Sequence, residues 1–264
     1  VWIDPLQDFT IEKVGTKTVS LFSTGNQKAK FTVTLAAMAD GNKLPPLIVL
    51  KGKIMPAELK NFRGAIITMS KNGWMNEDTT LEWLTKVWGS FSFGRRLLAW
   101  DAYRCHKTPA VKAELKKMRT DAAVIPGGCT SLLQAPDVCW NKTFKAHYVQ
   151  LYEEWVNSVG CTFENRTISG NPRPPSKLVL CQWVVEAWKL VPKELIVKSF
   201  LICGLTSRLD GSNDDEIRSV SELGLQRRLK TARESTQLRD IENEVSSSDE
   251  SVIPVSNESD SDSQ

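Results

Sequence analysis

The chain has 264 residues, 41% hydrophobic and 25% charged, with nine Trp and nine Phe, which is material for one sizeable core and argues against a second full domain. No apolar run reaches the roughly 20 residues of a membrane span, and six cysteines without a CxxC pair, only two histidines and no signal-peptide pattern argue against a disulfide framework or a zinc finger. The net charge of +3 is uneven: residues 1–240 carry 34 basic and 24 acidic side chains, while seven acids and no Lys or Arg follow from Ile241 on, a basic body with an acidic tail that suits a nucleic-acid partner.

Taken in chain order, residues 18–22 read as a strand. Residues 30–38 (KFTVTLAAM) and 47–50 (LIVL) read as a hairpin around the turn Asp40-Gly41-Asn42, with Pro45-Pro46 before the second strand. Residues 65–69 (AIITM) add a short strand. Asn76 is placed to cap a helix over 77–91, where Leu81, Leu84, Val87 and Trp88 fall at helical spacing. The pattern then turns α/β: a buried strand over 97–100 ending at Asp101, a helix over 108–119, a strand over 122–125 closed by Pro126-Gly127-Gly128, and a long helix over 137–159. Such alternation implies parallel strands with crossover helices. Residues 176–202, broken at Pro192, read as two more helices. Trp140, Phe144, Tyr148, Trp155, Trp183 and Trp188 recur at helical steps, the spacing of core packing. The expected organisation is a core over 1–217, a polar, partly helical linker over 218–245 and a disordered Ser/acidic tail over 246–264.

Asp101 and Asp137 are the candidate chemistry. A carboxylate at the end of a buried strand is costly unless it binds something, and open α/β sheets hold ligands at the carboxyl ends of their strands. Asp137 opens the helix after the next strand, so the fold can bring both acids to one sheet edge. Carboxylates, waters and phosphate oxygens are what a hard cation needs, and metal ions there serve phosphodiester chemistry. The same placements also serve a turn and a helix cap, and the residues alone leave both open.

Five segments carry a resemblance to the pogo/Tigger-type DDE transposases: KFTVTLAAMADGNKLPPLIVLKGK from Lys30, GWMNEDTTLEWL from Gly73, LLAWDAYRCHKT from Leu97, IPGGCTSLLQAPDVCWNKTFKAHY from Ile125 and CGLTSRLDGSNDDEI from Cys203. The resemblance implies an RNase-H-like mixed α/β fold, with a sheet flanked by helices and extra C-terminal helices. It implies a nuclear, DNA-directed strand-transfer endonuclease using Mg²⁺ or Mn²⁺. Asp101 matches the family's second metal-binding acid and Asp137 its third, 36 positions on. Val1-Trp2-Ile3-Asp4 looks like the stretch after the first acid, so that acid is expected upstream of Val1 rather than at Asp4. Where the family has Pro-Leu before the third acid, this chain has Ala135-Pro136. By the same resemblance His106, Asn141, Lys142 and Lys145 are candidate DNA contacts, with Asn141 and Lys145 on the helix face of Asp137. A homodimer and nuclear protein partners for the acidic tail stay open, as does the alternative of a domesticated, catalytically inactive DNA- or protein-binding module.

Overall fold

The computed structural model describes residues 1–3, 5, 24, 29–89, 94–160, 162–168 and 171–217. The strand expected over 18–22, the linker from residue 218 and the acidic tail lie outside the described residues, as does Asp4. The described residues divide into two units, 1–206 and 207–217. In the second, Arg208 N–H donates to Asn213 Oδ1 at 2.9 Å and Ser212 N–H to Asp210 Oδ1 at 2.9 Å, shaping a turn before the 3₁₀ turn Asp214–Glu216.

The first unit is mixed α/β, as the resemblance implied. Strands β1 (Thr32–Thr34), β2 (Leu47–Lys51) and β3 (Ile66–Ser70) form one sheet in the order β1-β2-β3, antiparallel then parallel. The expected hairpin is present with a first strand shorter than 30–38; its turn end is held by the isolated bridge between Ala37 and Lys43. Residues 1–3 continue this pairing pattern, with Ile3 N–H donating to the Ala29 carbonyl and Phe31 N–H to the Val1 carbonyl, each at 3.0 Å.

Strand β2 is the pivot of the packing. A strand buried on both faces needs an unbroken apolar run, and the four residues 47–50 are all buried. Successive side chains leave opposite faces. Leu47 and Val49 therefore pack with Trp83, Leu84, Leu98, Trp100, Val111 and Leu115, while Ile48 and Leu50 join the larger cluster with Phe144, Tyr148, Trp183 and Trp188. That larger cluster confirms core packing for five of the six helical aromatics, with Trp155 half-buried at its edge.

Helix α1 (Glu77–Trp83) starts at the expected residue: Asn76 Oδ1 accepts from Thr79 N–H at 2.9 Å, and Thr79 Oγ1 accepts from Asn76 N–H at 2.8 Å, a reciprocal cap. It widens into a π turn over Leu84–Trp88 and stops at Gly89, whose φ of +65° a side chain resists. Strands β4 (Arg96–Asp101) and β5 (Thr120–Ile125) are parallel and joined by helix α2 (Pro109–Lys117), capped by Thr108 with Pro109 in its first turn. Among the described residues β4 and β5 form their own two-stranded sheet. After the short helix α3 (Thr130–Leu133), a helical rod runs over 136–160: a π turn Pro136–Trp140, helix α4 (Asn141–Trp155) and a second π turn Val156–Gly160. Helices α5 (Lys177–Leu190) and α6 (Lys193–Ile202) follow, broken at Pro192. Lys43 Nζ closes the end of α5 by donating to the Trp188 and Lys189 carbonyls at 2.8 and 2.7 Å. No helix among the described residues is long and apolar enough to cross a membrane.

Candidate active site

Asp101 is the last residue of β4 and stands opposite Ile125, the last residue of β5. The two strands are parallel, so the segment that leads to Asp137 leaves the same end of the sheet at which Asp101 lies. The crossover topology thus sends both candidate acids from one edge, where open α/β sheets hold their ligands. No hydrogen bond or ion pair joins the two acids.

The surroundings of Asp101 are built from the turn that follows it. Tyr103 N–H donates to Asp101 Oδ1 at 3.1 Å, so this acid does shape a turn. His106, in the 3₁₀ turn Arg104–Lys107, brings Nδ1 to 2.8 Å from the same oxygen. The imidazole lies flat on Trp100, with ring centres 4.3 Å apart and planes 4° from parallel, and meets the Tyr103 ring edge-on. Trp100 continues inward to Trp83 and Trp88. A column of aromatic rings therefore runs from the smaller core to the carboxylate. The His106 hydrogen bond holds the Asp101 carboxyl below its ordinary pKa of 3.8; burial opposes this, and the Tyr103 N–H and the His106 charge reinforce it. Asp101 is thus a carboxylate at neutral pH.

Asp137 lies in the first turn of the rod, where the positive end of the helix dipole favours an anion. Its exposed carboxylate accepts from Asn141 Nδ2 at 2.8 Å through Oδ1, one helical turn on. Pro136 sits where its fixed φ and missing N–H suit a helix start. Ala135-Pro136 therefore keeps the acid on the helix, and Asp137 is not the cap residue, which is Ala135.

Of the four residues expected to touch DNA, Lys142 and Lys145 are exposed on α4. The other two, His106 and Asn141, each give a donor to a candidate acid. Two contributors escaped the sequence reading: the Tyr103 N–H and the Trp100 ring. The first was signalled by the Asp-x-x spacing of an Asx turn, the second only by standing beside Asp101.

A hard cation fits the donor chemistry. Among the described residues no donor reaches Oδ2 of either acid, and ionised carboxylate oxygens are the ligands Mg²⁺ and Mn²⁺ take. Two acids fill only part of an octahedral shell, and no group of three His, Cys, Asp or Glu converges among the described residues.

Residues 28–200 match the profile of the family described as DDE superfamily endonuclease. The chain is 33% identical over 209 residues to the mouse protein "Pogo transposable element with KRAB domain", covering 78% of this chain and 34% of the relative. It is 34% identical over 218 residues to the human protein of the same name, covering 81% and 35%. A human "Pogo transposable element with ZNF domain" is 29% identical over 195 residues, covering 71% and 13%. The chain thus spans about a third of the length of the first two relatives. No solved structure matches.

Proposed function

The chain belongs to the DDE superfamily endonucleases, and from that premise we propose that it is a transposase-type core that cuts and joins DNA phosphodiesters in the nucleus, with Asp101 and Asp137 as its metal-binding acids. The observation that carries this reading is that both acids of the matching motifs sit at element ends reached from one sheet edge, each with one oxygen that no donor among the described residues reaches.

Divalent Mg²⁺ or Mn²⁺, when bound, supplies Lewis-acid stabilisation of the reacting phosphate oxygens. The chain's own residues do the rest. Asp101 stays ionised because His106 and the Tyr103 N–H favour its charged form. Asp137 projects from a helix start. Lys145, two turns beyond it on the same face, and Lys142 offer positive charge to the DNA backbone. Such contacts position DNA without reading its sequence.

The test is divalent-dependent nicking of supercoiled plasmid by the complete protein. Asp101→Asn and Asp137→Asn are each expected to lower the rate about 100- to 1,000-fold, since loss of charge stabilisation at a reacting group costs on that order, while melting temperatures stay near the parent's. Parent-like nicking by both variants would falsify the assignment. A parent that binds DNA but never nicks it would favour a binding module over an enzyme.

A further inference from the structure

Both hydrogen bonds that reach the Asp101 carboxylate converge on one oxygen. His106 Nδ1 lies 2.8 Å from Oδ1 and the Tyr103 amide nitrogen 3.1 Å from it, and Oδ2 has no donor among the described residues. Because an ionised carboxylate only accepts, Nδ1 must carry the proton; the same nitrogen is 3.3 Å from the Asp101 carbonyl, a second acceptor. The ring has little freedom to turn away. It is stacked on Trp100 at 4.3 Å, and its side chain is 13% exposed against 40% for the acid it holds.

We propose that His106 is a positioning residue for the metal site: by fixing Oδ1 it presents Oδ2 of Asp101, alone and in one direction, to a divalent cation. This rests on the metal-dependent reading above. A carboxylate free to rotate samples one-oxygen and two-oxygen binding. One pinned at Oδ1 offers a single ligand, as a small cation demanding near-octahedral geometry requires. Hydrogen bonds of this outer kind orient ligands, and their loss typically weakens metal affinity about 10–100-fold. His106 thus acts through the acid, the choice the sequence had left open beside contact with phosphate. Trp100 then acts one step further back, holding the ring that holds the carboxylate.

The experiment is a Mn²⁺ titration of the protein followed by the electron paramagnetic resonance signal of free Mn²⁺, which reads binding without activity. His106→Phe keeps a flat ring on Trp100 and removes the donor; His106→Asn keeps a donor at the position of Nδ1 and removes the ring. The expected results are a dissociation constant raised about 10-fold or more in His106→Phe and restored to within about 3-fold of the parent in His106→Asn. Duplex DNA affinity without metal should be unchanged in both. Parent-like Mn²⁺ affinity in His106→Phe overturns the proposal, as does equal loss in the two variants, which would make the ring and not the donor responsible. A salt dependence of duplex binding reduced by about one ion would instead mark His106 as a phosphate contact and also overturn it. If the parent binds Mn²⁺ no better than Asp101→Asn, the metal-dependent reading itself fails, an outcome distinct from the others.

Discussion

Asp101 ends a strand whose Leu98 and Trp100 are buried, and it accepts two hydrogen bonds on one oxygen beside a stacked aromatic column. Asp137 occupies the exposed first turn of a helix and accepts one bond, from a side chain on its own helix. The contrast shows two ways of presenting a carboxylate. At the strand end, direction is imposed by tertiary packing, so the acid is only as well aimed as the rings behind it. At the helix start, direction comes from the local backbone and the helix dipole, and the side chain is held only by Asn141 of its own helix. One acid is preset and the other adaptable.

Removing the packing behind Asp101 breaks this comparison most severely. Trp100→Ala deletes a buried ring shared by the smaller core and the His106 stack, and it should cost about 3–5 kcal/mol of stability and weaken Mn²⁺ binding. Chemical denaturation paired with the metal titration checks both. Trp100→Phe, which keeps a ring, should fall between parent and Ala in both measurements.

Asn141→Ala sharpens the comparison from the other side. It removes the one donor to an exposed carboxylate, so stability should change by no more than about 0.5 kcal/mol. Mn²⁺ affinity should fall less than it does in His106→Phe. A larger loss in Asn141→Ala would reverse the assignment of preset and adaptable acids.

The pH dependence has a definite sign. The folded pKa of Asp101 lies below its ordinary 3.8, so its contribution to stability is present above that value and lost as pH falls through the folded pKa. The melting-temperature advantage of the parent over Asp101→Asn should therefore hold at pH 6 and shrink below about pH 4. The change is small because the side chain is 40% exposed and solvent screens it. The smallest effect lies away from the site. The Tyr148 hydroxyl is buried without a hydrogen-bond partner, and burial drives its pKa upward. Tyr148→Phe should leave stability unchanged or raise it by up to about 1 kcal/mol, as measured by urea denaturation.

Much of the fold was legible because its determinants are local. The run Leu47-Ile48-Val49-Leu50 has no polar face and can only be a strand covered on both sides. Asn76 announces its cap, and Pro192 breaks the helices where a missing N–H must. The acids were legible as strand-end and helix-start residues. Two features were not. The π turns at Leu84–Trp88 and Pro136–Trp140 differ from α-helix by one residue of register, which periodicity over a single turn does not resolve. The grip of His106 on Asp101 depends on side-chain rotamers in a turn and on stacking with Trp100, and neither leaves a spacing rule in the sequence.

The central claim is that Asp101 and Asp137 serve one metal site, and a paramagnetic titration tests it most directly. With backbone amide signals assigned by nuclear magnetic resonance, substoichiometric Mn²⁺ should broaden Tyr103 and His106 together with Val138 and Asn141, over one concentration range and reversibly on chelation. Broadening of only one pair, or of the two pairs at well-separated concentrations, would place the acids on different ions and contradict the account.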